Sequence, residues 1–326
     1  MTQAAGAREL LLLRHGKSDW REPVADYDRP LKKRGKLGAQ RIGAWLQEQA
    51  LEPDQILASP AERALATAEK CVKAMGHTVA EVETDRQLYM ASVEDLLAVL
   101  AKTPDSTERL LLVGHNPGLE QLVRVLPAQP PATPEDGKLM PTATLAQLRF
   151  QGAWSELAPG TAELQRIVRA RALSSEFPFP HGQAVDEWRQ RPAYYYRQSA
   201  VIPYRYLDGQ LEILLIGSSS GRHLSVPKGI VEPGLSDIAS ACREAEQEAG
   251  IRGQVQLPAL GQYRQAKWGS WCEVTVYALE VTEQLPEPEW QERQRGRQWL
   301  SPVRASQQVR QPELGRFITK LTRLLN

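Results

Sequence analysis

At 326 residues, with 42% hydrophobic and 24% charged residues, the chain is long for one domain and comfortable for two, each able to bury its own core. A net charge of +1 gives no general pull toward nucleic acid or an anionic membrane, so any basic site must be local. Cys71, Cys242 and Cys272 show neither metal-ligand spacing nor a disulfide framework, residues 1–6 lack a signal pattern, and no apolar run approaches membrane-spanning length, which together lead us to expect a cytoplasmic protein.

The first element is the aliphatic run 10–13, stopped by Arg14-His15-Gly16. A short apolar run ended by glycine reads as a buried strand entering a loop, and ligands of open α/β sheets sit at such carboxyl ends. Residues 32–50 place Leu37, Ile42, Trp45 and Leu46 at near-helical spacing, a helix expected to cover the sheet. Residues 55–58 run into Ser59-Pro60-Ala61-Glu62-Arg63 and a helix to about Met75, with Cys71 as a small core residue. A second amphipathic helix is expected over 92–102. Residues 109–113 then run into Gly114-His115-Asn116-Pro117-Gly118 and another helix, the loop 127–136 follows, and 144–150 and 162–169 read as strands. Three strands thus deliver Arg14, His15, Arg63 and His115 at their far ends. Guanidinium forks match phosphate oxygens, and helix starts after Ser59 and Asn116 add N–H groups, so the set suits a phosphoryl group.

In chain order, Arg14-His15-Gly16-Lys17-Ser18-Asp19-Trp20, Asp28-Arg29-Pro30-Leu31, Ser59-Pro60 with Arg63 and Thr67, and Gly114-His115-Asn116-Pro117-Gly118 form a specific combination. It resembles the histidine phosphatase superfamily, most closely its SixA-type phosphohistidine phosphatase branch. The resemblance implies a phosphoglycerate-mutase-like α/β/α sandwich over residues 1–173. It implies that His15 takes the phosphoryl group as a phosphohistidine while Arg14, Arg63 and His115 hold the equatorial oxygens, with no metal. Lys17, Ser18, Arg29 and Asn116 are expected to bind substrate, and Trp20 to pack. Many relatives add a carboxylate acid. None is clear around Gln87-Leu88-Tyr89, although Asp85, Glu94 and Asp95 are close in sequence, so poor leaving groups should react slowly. A phosphohistidine protein or a small phosphomonoester is the expected substrate.

Residues 174–192, with Phe177-Pro178-Phe179-Pro180 and His181-Gly182, break all periodicity and are expected to link two domains. Tyr194-Tyr195-Tyr196 should be packing. Beyond them, 200–206 and 211–216 flank Asp208-Gly209, a hairpin signal, and Pro227-Lys228-Gly229 precedes a helix over 236–249 that stops at Gly250. Within it, Arg243-Glu244-Ala245-Glu246-Gln247-Glu248-Ala249-Gly250-Ile251 resembles the Nudix box, and with residues 290–299 it resembles the branch that hydrolyses diadenosine and diphosphoinositol polyphosphates. That implies a Nudix α/β/α sandwich with a mixed sheet over 193–326 and Mg2+ or Mn2+ on a carboxylate helix; Glu244 and Glu248, with Glu232 or Glu273 as additions, are the candidate metal ligands here, and Lys228, Arg222, Arg264 and Lys267 the candidate phosphate contacts.

Two positions depart from the box. Leu235 and Gln247 stand where it has glutamates, and a hard cation wants charged oxygens. Leu235 should also deprive Arg243 of a partner. At about 100° per residue, Glu244 and Glu248 share a helix face while Glu246 points away. This half is therefore expected to bind, or weakly hydrolyse, a nucleotide or inositol polyphosphate. The alternatives are a two-step enzyme, a Nudix cut followed by phosphate removal, or a regulatory sensor. No nucleic-acid or membrane partner is expected.

Overall fold

The computed structural model describes residues 6–21, 23–181, 184–218 and 221–326; residues 1–5 and Gly182, part of the N-terminal and linker features named above, lie outside them. The chain divides into two compact units, Met1–Pro178 and Phe179–Asn326.

The first unit is a six-stranded sheet in the order β3-β2-β4-β1-β5-β6. Its strands are β1 (Ala7–Arg14), β2 (Gln55–Ala58), β3 (Val82–Thr84), β4 (Arg109–Gly114), β5 (Thr144–Gln151) and β6 (Ala162–Arg169). The first four are parallel to one another, and β5, antiparallel to β1, and β6, antiparallel to β5, are added at one edge. Period-two alternation makes the leucine run serve both faces. Leu10 and Leu12 pack under α3 (Val93–Leu100) and α4 (Gly118–Val125), whereas Leu11 and Leu13 pack under α1 (Lys33–Glu48) and α2 (Glu62–Met75). The result is an α/β/α sandwich. Gly43 lets α1 approach α2 closely, since a Cβ there would lie 2.0 Å from the Cys71 carbonyl oxygen.

Residues expected to be a linker carry two short strands, β7 (Phe177–His181) and β8 (Ala184–Arg189), paired with each other. Alternation failed to reveal β7 because prolines occupy its alternate positions. Tyr196 is buried, its ring edge-on to Trp268 and Phe179, so this tyrosine packs as expected.

The second unit is a mixed sheet built on β9 (Arg197–Leu207), β10 (Gln210–Gly217), β11 (Leu224–Ser225), β12 (Lys228–Ile230), β13 (Ile251–Lys267), β14 (Ser270–Gln284) and β15 (Arg297–Leu300). The β9–β10 turn is Asp208-Gly209, both at positive φ (48° and 74°), the geometry that matches strand twist. Helix α5 (Asp237–Ala249) covers one face through Ala241, Ala245 and Ala249. Helices α6 (Pro302–Gln308) and α7 (Pro312–Leu325) cover the other through Ala305, Leu314, Ile318 and Leu321. Ser236 caps α5 by accepting from Ala239 N–H, and Gly250 ends it in the left-handed conformation.

Candidate functional site

Register assembles the first site. Arg14 pairs with Gly114 across parallel β1 and β4, and Ala58 of β2 pairs with Val113, so His15, Ser59 and His115 all leave the sheet at one end. The His15 and His115 ring centroids are 5.2 Å apart, within reach of one tetrahedral anion. Arg63, 3% exposed, lies in the first turn of α2.

The loop is tied to the helices by backbone contacts. Gly16 N–H donates to Thr67 Oγ1 (2.9 Å), whose hydroxyl donates to the Arg63 carbonyl (2.6 Å). Gly16 also packs on α1, where a Cβ would lie 2.6 Å from the Gly35 carbonyl oxygen. His15 Nδ1 lies 2.7 Å from the Gly16 carbonyl, which can only accept, so Nδ1 carries the hydrogen and Nε2 the lone pair. Burial, followed by the Arg63, Arg14 and Arg29 guanidiniums, overrides the upward pull of that carbonyl and lowers the His15 pKa to about 4. His115 is lowered to about 3 by burial and then by His15 and Arg63. Both rings are neutral at pH 7. His115 Nε2 is 2.8 Å from Ser59 Oγ, and its Nδ1 is buried with no partner among the described residues.

Asp26, which the sequence did not single out, is the hub of the cations. It accepts from Arg63 Nη2 (2.8 Å), Arg29 Nη2 (2.7 Å) and the Tyr89 hydroxyl (2.9 Å). Burial would raise its carboxyl, but Tyr89, Arg63 and Arg29 together hold it below the usual range. It is ionised, and so unsuited to protonating a leaving group. The other carboxylates considered are occupied elsewhere or face solvent: Asp85 and Asp95 cap helical turns, and Glu94 is exposed. Trp20 remains 69% exposed under the Arg29 guanidinium, 3.4 Å from its ring centre, so it stacks on a cation instead of entering the core.

Of the other expected contacts, Arg14 donates from Nη1 to the Met140 carbonyl (2.6 Å), and Asn116 donates to Glu120 and to the Met140 carbonyl while its Oδ1 has no partner among the described residues. Ser18 is buried in a bridge to Leu31, and Lys17 lines a cavity beside Arg14.

In the second unit, Glu244 and Glu248 are close enough to repel. Burial, with Glu248 second, raises Glu244 to about 7. Glu248 is spoken for: its Oε1 pairs with Arg295 Nη2 (2.6 Å) and its Oε2 accepts Lys228 N–H (3.0 Å). Arg295 also holds Glu292. Glu273 pairs with Arg264 (2.8 Å) at the surface. Leu235 offers Arg243 no carboxylate, and Arg243 pairs instead with Glu232 (2.8 Å), which the turn before α5 brings to it. Among the described residues no group of three or more His, Cys, Asp or Glu side chains could hold a metal. With Leu235 and Gln247 in the box and a guanidinium on Glu248, these residues as arranged do not fit a divalent cation.

A cavity of about 540 Å³ lies beside this pair, lined by Lys228, Lys267, Arg295, Arg310 and Trp271 among others. Lys228 donates to Gln265 (2.6 Å), and burial, then Lys267, lowers it to about 8. Arg222 and His223 line a neighbouring pocket with Arg295. Among the described residues no helix is long and apolar enough to cross a membrane.

Residues 10–92 match the family model of the histidine phosphatase superfamily (branch 1), and residues 196–321 that of the NUDIX domain. An uncharacterized protein of Mycobacterium tuberculosis is 32% identical over 158 residues, 47% of this chain and 96% of its own. Nudix hydrolase 16, mitochondrial, of Arabidopsis thaliana is 35% identical over 130 residues, 34% of this chain and 71% of its own. Among solved structures, the protein histidine phosphatase SixA complexed with tungstate is 22% identical with a TM-score of 0.43, covering 51% of this chain and 99% of that one.

Proposed function

Since this chain belongs to the histidine phosphatase superfamily in its first half and to the Nudix family in its second, we propose that it is a hydrolase fusion whose first unit removes phosphate through a phosphohistidine on His15. One observation carries the reading. A neutral imidazole with its Nδ1 hydrogen fixed on a carbonyl stands 5.2 Å from a second imidazole, beside a buried Arg63.

His15 Nε2 attacks phosphorus in line, the bond to the leaving group breaks (P–O in an ester, P–N in a phosphohistidine), and its electron pair goes to the leaving oxygen or nitrogen. Arg14, Arg63 and His115 stabilise the charge spread over the equatorial oxygens. Water then attacks phosphorus, the N–P bond breaks, and orthophosphate leaves with His15 neutral again. The cations are built into the chain, so this step calls for no metal. With Asp26 ionised and committed to two guanidiniums, leaving groups of low basicity should react fastest, such as a phosphohistidine imidazole or an acidic alcohol.

For the second unit we read a binding site for a polyphosphorylated ligand such as a nucleotide or inositol polyphosphate. Its support is the cationic cavity around Lys228 and Lys267 and the Arg295–Glu248 pair where the Nudix box has a carboxylate site.

The test is phosphate release from p-nitrophenyl phosphate in EDTA, with rapid-quench labelling. His15→Ala should cost at least about a hundredfold and abolish an acid-labile, alkali-stable protein phosphate. Undiminished turnover, or turnover with no labelled protein, overturns the mechanism. Magnesium-dependent cleavage of diadenosine tetraphosphate that survives His15→Ala and is lost in Glu248→Gln would replace the binding reading with an active Nudix enzyme.

A further inference from the structure

Arg14 belongs to two concavities at once. Besides flanking His15, it lines a cavity of about 720 Å³ whose other walls come from α1, the segment before β5 and the end of β6. That volume is in the range of small-molecule sites. Seven cationic side chains line it against two carboxylates, Glu120 and Asp136.

The two carboxylates offset only part of that charge, Glu120 acting on Arg14 and Asp136 on Arg169 and Arg171. Glu120 accepts from Asn116, from the Met140 N–H and from Arg124, which lies outside the lining. Asp136 is shared by Arg169 and Arg171, each at 2.7 Å. Lys17, Arg34, Arg41 and Lys138 have no carboxylate partner among the described residues. Three polar atoms of the lining are also buried without a partner among the described residues: Arg14 Nε, Arg41 Nε and Thr144 Oγ1, on a threonine that is 0% exposed. Buried donors and like charges gathered around a concavity are unfavourable by themselves, and an anion with several oxygens relieves both costs.

We propose that this cavity binds a second phosphate of the substrate, so that the first unit acts on small molecules carrying at least two phosphoryl groups, one in the cup at His15 and another among Arg34, Arg41 and Arg171. The proposal rests on the phosphatase reading and names its substrate class. Arg14 is the shared member that sets the spacing between the two groups.

The experiment measures competitive inhibition of p-nitrophenyl phosphate hydrolysis by orthophosphate and by tripolyphosphate, in EDTA, on the full chain. Tripolyphosphate should bind about tenfold more tightly, and the advantage should shrink at least about threefold in R34Q/R41Q and in R171Q, while kcat/KM for p-nitrophenyl phosphate changes less than about twofold. The two variants alter different elements, α1 and the turn after β6, so a folding defect in one leaves the other as the test. An advantage below about fivefold in the wild type, or one unchanged in a folded variant, overturns the proposal. If the wild type fails to turn over p-nitrophenyl phosphate, the phosphatase reading has failed separately. Calorimetric titration with tripolyphosphate then decides for the cavity: a binding event lost in the variants supports it, and superimposable isotherms refute it.

Discussion

Asp26→Asn separates two roles for the carboxylate at the site. The substitution keeps the size and the backbone carbonyl that also accepts from Arg63, and removes the charge facing Arg63 and Arg29, which are 3% and 6% exposed. Breaking a fully buried ion pair costs about 3–5 kcal/mol. The Asp26 side chain is 44% exposed, so solvent screening brings the expectation down to about 1–2 kcal/mol. For a unit of this size that is a fall in Tm of about 2–8 °C. The two freed guanidiniums should then bind anions better, so orthophosphate should raise the variant's Tm more than the wild type's. Thermal unfolding with and without phosphate measures both effects. If Asp26 instead donates a proton, the variant keeps its stability and loses rate only on alkyl phosphates, whose leaving oxygens need protonation. That pattern would refute the positioning role.

Acid should destabilise the first unit. His15 and His115 titrate near 4 and 3 when folded against 6.5 when unfolded, so the unfolded chain binds more protons below pH 6.5. Stability is complete above pH 6.5 and falls as pH drops, by about 3 kcal/mol from His15 alone at pH 4. Urea unfolding from pH 7 to 4 should be steeper for the wild type than for His15→Asn, and equal slopes reject the linkage. Gly43→Ala would gain about 1 kcal/mol of helix propensity, but its Cβ meets the Cys71 carbonyl at 2.0 Å, and overpacking of about 2–3 kcal/mol should win. A stabilised variant in thermal unfolding counts against the close approach of α1 and α2. Arg295→Ala strips Glu248 of its guanidinium, and manganese should then raise Tm more than in the wild type. Equal shifts would mean that Arg295 does not close the site.

Local pattern carried much of the architecture. Residues 55–58 and 162–169 are strands with the bounds that alternation and turn residues suggested, and Ser236 and Gly250 delimit α5 as capping chemistry requires. His15, Arg63 and His115 were legible because each ends a strand or begins a helix at a glycine- or proline-marked loop. Asp26 was not, since a lone acid in an irregular stretch has no periodicity to betray it. Glu232 was missed as the partner of Arg243 because the turn that folds it back lies outside any repeat.

By itself, the sequence determined most strands and helices of the first unit, the β9–β10 hairpin, α5 and the two family motifs, because side-chain period, caps and turn residues act over a few positions. Only the tertiary structure decided which charges meet: Asp26 with Arg63 and Arg29, Arg295 with Glu248, and Arg14 between two cavities. The Asp26–Arg63 and Arg295–Glu248 pairs span 37 and 47 residues, over which no local propensity reaches, and Coulomb energy falls with distance in space, not along the chain.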